Sequence, residues 1–207
     1  MAAASSLDVA NLALQRIGVK ASSSLSGTDK QSVAANRILE DTRDEVQYMF
    51  PWECIMKRIA LAPTAVGSTF SSFSYVHTLS SDCLRVLEII DTNDADAENV
   101  PYVREGSNLY HNLSSGYLRY LKQTTNITPW SPLMLNAIEA RMSSKLAVWL
   151  TGQVTKAALM HQEFMQTISV AIQVGAIEGK YEDNRKVLAM LDKNFMPFLA
   201  EDRRVAE

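Results

Sequence analysis

The sequence predicts an α+β protein, mainly α, in which a four-helix-type bundle carries a small inserted antiparallel β module. Apolar residues recur at helical spacing near both ends of the chain, whereas the middle third is aromatic and β-branched with a period near two. The predicted division is a helical bundle of residues 1–62 and 126–180, a β module of residues 63–125, and a C-terminal segment of residues 181–207.

Two helices are predicted before the β module. The first can be capped by Ser5 or Ser6 and ends at Gly18, because glycine accepts the left-handed conformation that stops a helix. The second runs from Asp29 to Phe50, where Pro51 disfavours helical geometry in the preceding residue. Their apolar stripes are Leu7, Ala10, Leu14 and Ile17 in the first helix and Ala35, Ile38, Leu39, Thr42, Val46, Met49 and Phe50 in the second.

Strands are predicted in the middle third at residues 70–78, 84–90 and 117–123, with a hairpin that turns at residues 106–108. Two further helices follow. The third begins at Pro132 and ends at Gly152. The fourth fades at Gly175 and Gly179. Their stripes are Leu135, Ile138, Met142, Leu146 and Trp149, and then Ala157, His161, Phe164, Ile168 and Ala171.

Composition and charge bound the function. The 207 residues are 47% hydrophobic and 21% charged, which is ordinary for a protein with a core, and the net charge is -3. A protein that grips nucleic acid usually carries a basic patch, whereas a neutral or acidic wall would let DNA slide. Cys54 and Cys83 are expected to be reduced thiols, and we expect neither a secretion signal nor a membrane span.

Candidate metal and catalytic residues are few. Residues 91–96 are acidic enough to suggest a calcium-binding loop. Such a loop needs an oxygen ligand at its fifth position and glycine at its sixth, where this chain has Ala95 and Asp96, so a solvated turn is predicted instead. His77, His111 and His161 have no metal-like spacing, and His161 is predicted to be a core or interface histidine. No catalytic, cofactor-binding or metal-binding residue is therefore predicted.

Two charged clusters have structural and functional interpretations. Arg43, Asp44 and Glu45 are consecutive, so on a helix they point in different directions and predict a charged face, not a convergent acid–base site. The second cluster mixes aromatic and basic residues as single-strand binders do, but Arg119 and Lys122 should point to opposite faces of a strand. Its members are Tyr117, Arg119, Tyr120 and Lys122.

Several short motifs follow one another in a characteristic order. They are Leu12-Ala-Leu-Gln-Arg-Ile-Gly18, Arg43-Asp-Glu-Val46 with Pro51-Trp52, Arg58-Ile-Ala-Leu-Ala-Pro63, Tyr75 to Val86 with Asp82-Cys-Leu-Arg-Val86, Glu105-Gly106 before Leu109, Leu118-Arg-Tyr120, and residues 133–152. This order resembles the head-to-tail adaptors of tailed phages, the tail tubular protein A-like or head-completion group of short-tailed phages. The likeness covers most of residues 7–180, with Ser80 or Ser81 where the family usually has proline.

The resemblance implies a non-enzymatic structural protein of the virion, without cofactor or metal, that is assembled in the host cytoplasm. Its subunits would form a dodecameric ring beneath the portal protein, extend the DNA channel without sequence-specific binding, and present a platform for the tail nozzle. We further predict that the bundle and the C-terminal segment meet the portal, because that segment has apolar side chains but no core of its own, and that the β module then faces the nozzle. The predicted portal-docking residues are Phe195, Met196, Phe198 and Leu199.

Large interfaces on a small body need anchors, and Trp52, Trp130 and Trp149 are candidates, although burial in the core is the default expectation for each. Two other classes of function stay open. One is a small phage cell-wall hydrolase, an activity credited to some relatives, which would need a positioned pair of carboxylates or a metal site. The other is a DNA-binding helical protein. Asp29, Glu53 and Asp82 are isolated in the sequence, so no carboxylate pair is predicted.

Overall fold

A computed structural model describes residues 5–65, 72–92 and 99–178 of the chain. Within these ranges there are four α-helices, 48% of the residues are helical and 20% are in strands, and the strands form two small antiparallel sheets. The predicted class, α+β and mainly α, is therefore confirmed. Every strand in the described ranges lies between the second and the third helix, as expected for an inserted β region.

The four helices keep close to their predicted ends. They are α1 (Ser6–Arg16), α2 (Lys30–Met49), α3 (Pro132–Leu146) and α4 (Val154–Glu178), with a 3₁₀ turn at Glu53–Ile55 and a π-helical turn at Ala147–Thr151. Gly18 and Gly152 have φ angles of +75° and +67°, the left-handed conformation expected at these stops.

Seven strands are present in the described residues. They are β1 (Met56–Ala60), β2 (Thr64–Ala65), β3 (Tyr75–Thr78), β4 (Cys83–Ile90), β5 (Val103–Glu105), β6 (Asn108–His111) and β7 (Tyr117–Lys122). One sheet has the order β1-β7-β4 and the other has the order β2-β3-β6-β5, with every pair antiparallel. The hairpin between β5 and β6 turns at Gly106, whose φ is +58°.

Contacts divide the chain into two compact units. Of the described residues, those within 7–39 and 132–178 form the helical unit and those within 5–6 and 40–131 form the strand unit, so α2 begins in the first and ends in the second. The domain boundaries predicted from the sequence, after residues 62 and 125, stay a prediction. The strands begin earlier than expected because β1 pairs along its whole length with β7.

Each unit has an apolar core. In the helical unit the largest fully buried side chains come from α1, α3, α4 and the residue before Gly18: Leu14, Ile17, Met134, Ile138, Met142 and Phe164. In the strand unit the buried cluster draws on both sheets: Leu61, Leu79, Val86, Ile89, Leu109, Leu118 and Tyr120. Burying each of these side chains contributes about 1.5–3 kcal/mol, so each cluster stabilises the unit in which it lies.

Two predicted features lie outside the described residues. The C-terminal segment of residues 181–207 is one, and it includes the predicted docking residues Phe195, Met196, Phe198 and Leu199. Residues 93–96, four of the six residues considered for calcium, are the other.

Candidate interaction site

Arg16 of the first motif holds the helical unit together. It donates a hydrogen bond from Nη2 to Oε2 of Glu139 at 3.0 Å and contacts Glu163 through Nη1. The next residue, Ile17, is buried, and its carbonyl accepts a hydrogen bond from Nζ of Lys156 at 2.9 Å. The motif therefore ties the end of α1 to α3 and α4.

Glu139 and Glu163 form a carboxylate pair that sequence spacing did not predict, since 24 residues separate them. Burial raises the pKa of Glu139, while the charge of Arg16 and its hydrogen bond oppose that rise. The Glu139 side chain is only 8% exposed, and Arg16 occupies both carboxylates. The arrangement is that of a buried ion pair that joins helices.

Arg43 and Asp44 of the second motif also have structural roles. Arg43 is buried and donates from Nε to Oδ1 of Asp44 at 2.8 Å, and the other oxygen of Asp44 accepts from Gln123 at 2.6 Å. One turn on, Gln47 exchanges two hydrogen bonds with the backbone of Thr124, at 2.7 and 3.1 Å. These contacts fix the end of β7 against α2, so Arg43 is not part of the solvated face predicted from the sequence.

The Asp82-to-Val86 motif continues this network within the strand unit. Asp82 accepts a hydrogen bond from the hydroxyl of Tyr120 at 3.1 Å, and Lys57 lies 3.8 Å from its second oxygen. Arg85 donates from Nη1 to the carbonyl of Tyr48 at 2.9 Å, at the end of α2. A cation at this position satisfies a terminal carbonyl and complements the helix dipole. Asp82 is thus isolated in sequence but not in space.

The residues considered for nucleic-acid stacking have different environments in the sheet. Tyr120 is fully buried, so its ring offers no stacking surface. Arg119 pairs with Glu88 on the neighbouring strand β4 at 2.6 Å, and Lys122 lies 4.0 Å from Asp82. These residues do not form one exposed basic and aromatic surface.

His77 and His111 lie near each other on paired strands of the strand unit, whereas His161 lies in the helical unit. Nδ1 of His77 accepts from the backbone N–H of Ala62 at 3.4 Å, and Nδ1 of His111 accepts from that of Leu113 at 3.2 Å. His161 lies half-buried on α4, with its Nδ1 3.2 Å from Nη1 of Arg141. Among the described residues no group of three or more potential ligands could hold a metal ion.

Buried His111 should make the strand unit sensitive to acid. Burial, reinforced by the neighbouring His77, holds the pKa of His111 below its usual value. When pH falls below about 6.5, the unfolded chain binds a proton that folded His111 resists, so stability falls by at most about 1.4 kcal/mol per pH unit. We expect His111→Gln to flatten this slope between pH 7 and 5 in urea unfolding. His161→Gln is the matched control, and an unchanged slope in the His111 variant would contradict the assignment.

No helix in the described part of the chain is long and apolar enough to cross a membrane.

The three tryptophans proposed as anchors differ in how far they are buried. Trp52 is 2% exposed and donates its indole N–H to the carbonyl of Val46 at 2.8 Å, and Trp130 is 8% exposed. Both are core residues of the strand unit. Trp149, in the π-helical turn, is 47% exposed. Only Trp149 is therefore available as an anchor for another molecule.

Trp149 belongs to an exposed patch of the helical unit. The guanidinium of Arg37 lies over its indole ring, 5.4 Å from the ring centroid, and Val33 lies one turn earlier on the same side of α2. Val33 is 51% exposed and Val148 is 52% exposed. We call Val33, Arg37, Val148 and Trp149 the Trp149 patch.

A second uncovered surface lies on α4. Opposite the side that packs on α3, the helix presents a stripe that contains no charged residue, which we call the α4 stripe: Thr155, Leu159, Gln162, Gln166, Val170 and Gln173. The exposed positions of α2 provide a contrast, because four of the seven are charged: Lys30, Val33, Asn36, Arg37, Glu40, Asp41 and Tyr48. Depletion of charge is typical of the centre of a protein interface.

The charged residues of three motifs, Arg16, Arg43 with Asp44, and Asp82 with Arg85, thus have structural roles. Trp149 lies within the motif of residues 133–152, whereas most of the α4 stripe lies outside the motifs. Sequence periodicity could have indicated the α4 stripe, since its outward positions lack charge over five turns. No family model matches the chain, and no curated protein matches it.

Proposed function

We propose that this chain is a structural virion protein, a head-to-tail adaptor that forms a ring between the portal protein and the tail nozzle and extends the DNA channel. The observation that carries the proposal is the Trp149 patch. The ordered motifs that resemble the adaptor family support it, as does the finding that their charged residues join helices and strands within each unit.

The Trp149 patch has the chemistry of a binding hot spot. Tryptophan and arginine are enriched among the residues that dominate interface energies, and exposed apolar neighbours can exclude water around them. Arg37 also restricts the indole through its cation–π contact, so less side-chain entropy is lost on binding. We assign this patch to the contact with the portal, and under this proposal the β region faces the nozzle.

The test is co-sedimentation with rings of the portal protein encoded in the same genome. We expect the intact chain to sediment with these rings and Trp149→Ala to bind at least thirtyfold more weakly, the loss of about 2 kcal/mol or more that marks a hot spot. Tyr48→Ala is the matched control, because Tyr48 is an exposed aromatic residue beneath Arg85 in the strand unit. Equal losses in both variants, or no binding by the intact chain, would refute the assignment.

Cell-wall hydrolysis is the second candidate, because the structure brings Glu139 and Glu163 together at Arg16. A glycosidase also needs space for a sugar between its carboxylates, and Arg16 occupies that place. We therefore expect purified protein to release no more soluble fragments from peptidoglycan than a buffer control. Release that Glu139→Gln abolishes while the fold is retained would establish the hydrolase instead.

A further inference from the structure

The α4 stripe has an internal symmetry. Along the helix it runs from Thr155 and Leu159 to Gln162, and then from Gln166 to Val170 and Gln173. Each half has a glutamine at the centre of the stripe, an aliphatic residue beyond it and an uncharged polar residue at the outer end. Reversing the direction of the helix about a point near residue 164 therefore reproduces the same order of chemical types.

We infer that the α4 stripe is a two-fold contact between two copies of this chain in solution. In an antiparallel pair of α4 helices centred on residue 164, the glutamines at positions 162 and 166 face each other, and Leu159 lies one residue out of register with the partner copy's valine at position 170, close enough for the two side chains to meet. A two-fold interface requires that one surface complement itself, and this stripe does so with apolar residues against apolar residues and amides against amides. Amide groups can both donate and accept, so each glutamine pair satisfies itself without charge.

Neighbouring charges do not interfere with this contact. Between Val154 and Ile172 the charged residues of α4 are Lys156 and Glu163, besides His161. Lys156 donates to the carbonyl of Ile17, and Glu163 contacts Arg16, so both are directed toward α1 and away from the stripe. The pairing therefore desolvates no charged side chain on the stripe itself.

The size of the stripe sets the strength of the pair. From Thr155 to Gln173 it spans about 27 Å along the helix. One helix pair of this length buries less than the roughly 1,600 Å² of a standard stable interface, so we expect a weak dimer. A ring uses two different surfaces on each subunit, so this two-fold contact is separate from the proposed adaptor function and does not rest on it.

The test is sedimentation equilibrium of the full chain from about 5 to 500 μM, an interval chosen to bracket the expected weak dimer. We expect a monomer–dimer equilibrium that Gln162→Lys/Gln166→Lys weakens at least tenfold, because lysines then face lysines across the axis. Gln162→Lys/Gln166→Glu should tighten the dimer several-fold, because each lysine faces a glutamate of the other copy. Ser23→Lys/Asn36→Lys is the control, since it adds the same charge at exposed positions of the helical unit away from α4.

Three outcomes would overturn the inference. They are a monomer throughout the concentration range, a dimer that the double-lysine variant leaves unchanged, and a dimer that the lysine–glutamate variant weakens as much. A truncated chain of residues 1–178 tests the remaining alternative, that the segment after residue 178 occupies the stripe in place of a second copy. If only this truncated chain dimerises through α4, the segment after residue 178 covers the stripe in the intact protein, and a second copy is not its partner.

Discussion

Replacing Arg16 by leucine should destabilise the helical unit by about 3–5 kcal/mol, because the substitution leaves the carboxylate of Glu139 buried without its partner. Removing one member of a buried pair costs more than the pair contributes, since the remaining charge has lost both water and counter-charge. Urea unfolding followed by circular dichroism measures the effect. A midpoint and slope that match the wild type would contradict this role of Arg16.

Two further variants separate the buried charge from other effects of the substitution. Adding Glu139→Leu to Arg16→Leu should restore much of the lost stability, because no uncompensated charge then stays buried. Glu163→Gln is the matched control, since the Glu163 side chain is 43% exposed and an exposed pair contributes about 1 kcal/mol or less. A double variant as unstable as Arg16→Leu alone would assign the loss to packing.

The deficit of the Arg16→Leu variant should also depend on pH. Burial raises the pKa of Glu139, and without Arg16 nothing of comparable strength opposes that rise. Above the unfolded value of about 4.3 the folded variant holds a proton that the unfolded chain has released, so its stability falls as pH rises. The loss relative to wild type should therefore be larger at pH 8 than at pH 5.

The ends of the helices could be predicted because they depend on the conformational preferences of a few neighbouring residues. Gly18 and Gly152 end their helices in the left-handed conformation, and α2 ends just before Phe50 and Pro51, as the restriction that proline places on its neighbour requires. These signals act over a few residues, so one sequence suffices to interpret them. Asp29 belongs with them, because its carboxylate accepts from the N–H of Ser32 at 3.1 Å and caps α2.

Pairing over long sequence distances explains what the sequence did not show. The segment Met56–Ala60 has no clear alternation, and it becomes a strand because β7, about 60 residues later, supplies its partner. The same limit applies to Arg16, whose partners lie 123 and 147 residues away. Sequence spacing gives no access to such contacts, so neither the carboxylate pair nor the split into two sheets could be foreseen.

The exposure of Trp149 illustrates a further limit. Trp149 continues the apolar stripe of the third predicted helix, with Leu146 three residues earlier, and such a stripe normally faces the core. The π-helical turn at Ala147–Thr151 changes the helical repeat after Leu146, and Trp149 lies exposed beneath Arg37. Because the turn depends on backbone hydrogen bonding and not on composition, the periodicity alone predicted the wrong environment.

Deleting residues 192–207 should abolish attachment to portal rings while leaving a folded subunit. This segment is too short for a core of its own, yet it carries Phe195, Met196, Phe198 and Leu199 among charged residues. Docking on a partner would bury roughly 150–250 Å² per aromatic side chain, against an ordering cost of about 1–2 kcal/mol per backbone residue, so the contacts must be extensive. The readout is co-sedimentation with portal rings, alongside circular dichroism of the free subunit.

Phe195→Ser/Phe198→Ser is the sharper version of the same experiment, because it keeps the length and charge of the segment and removes only its two aromatic anchors. We expect portal binding to fall at least thirtyfold, since each anchor of a hot spot contributes on the order of 1–2 kcal/mol. Glu201→Gln/Asp202→Asn is the matched control, because it alters the charge of the segment but none of its apolar side chains. If the serine variant occupies portal rings as fully as the wild type, the segment is not the docking element, and the Trp149 patch must carry the attachment alone.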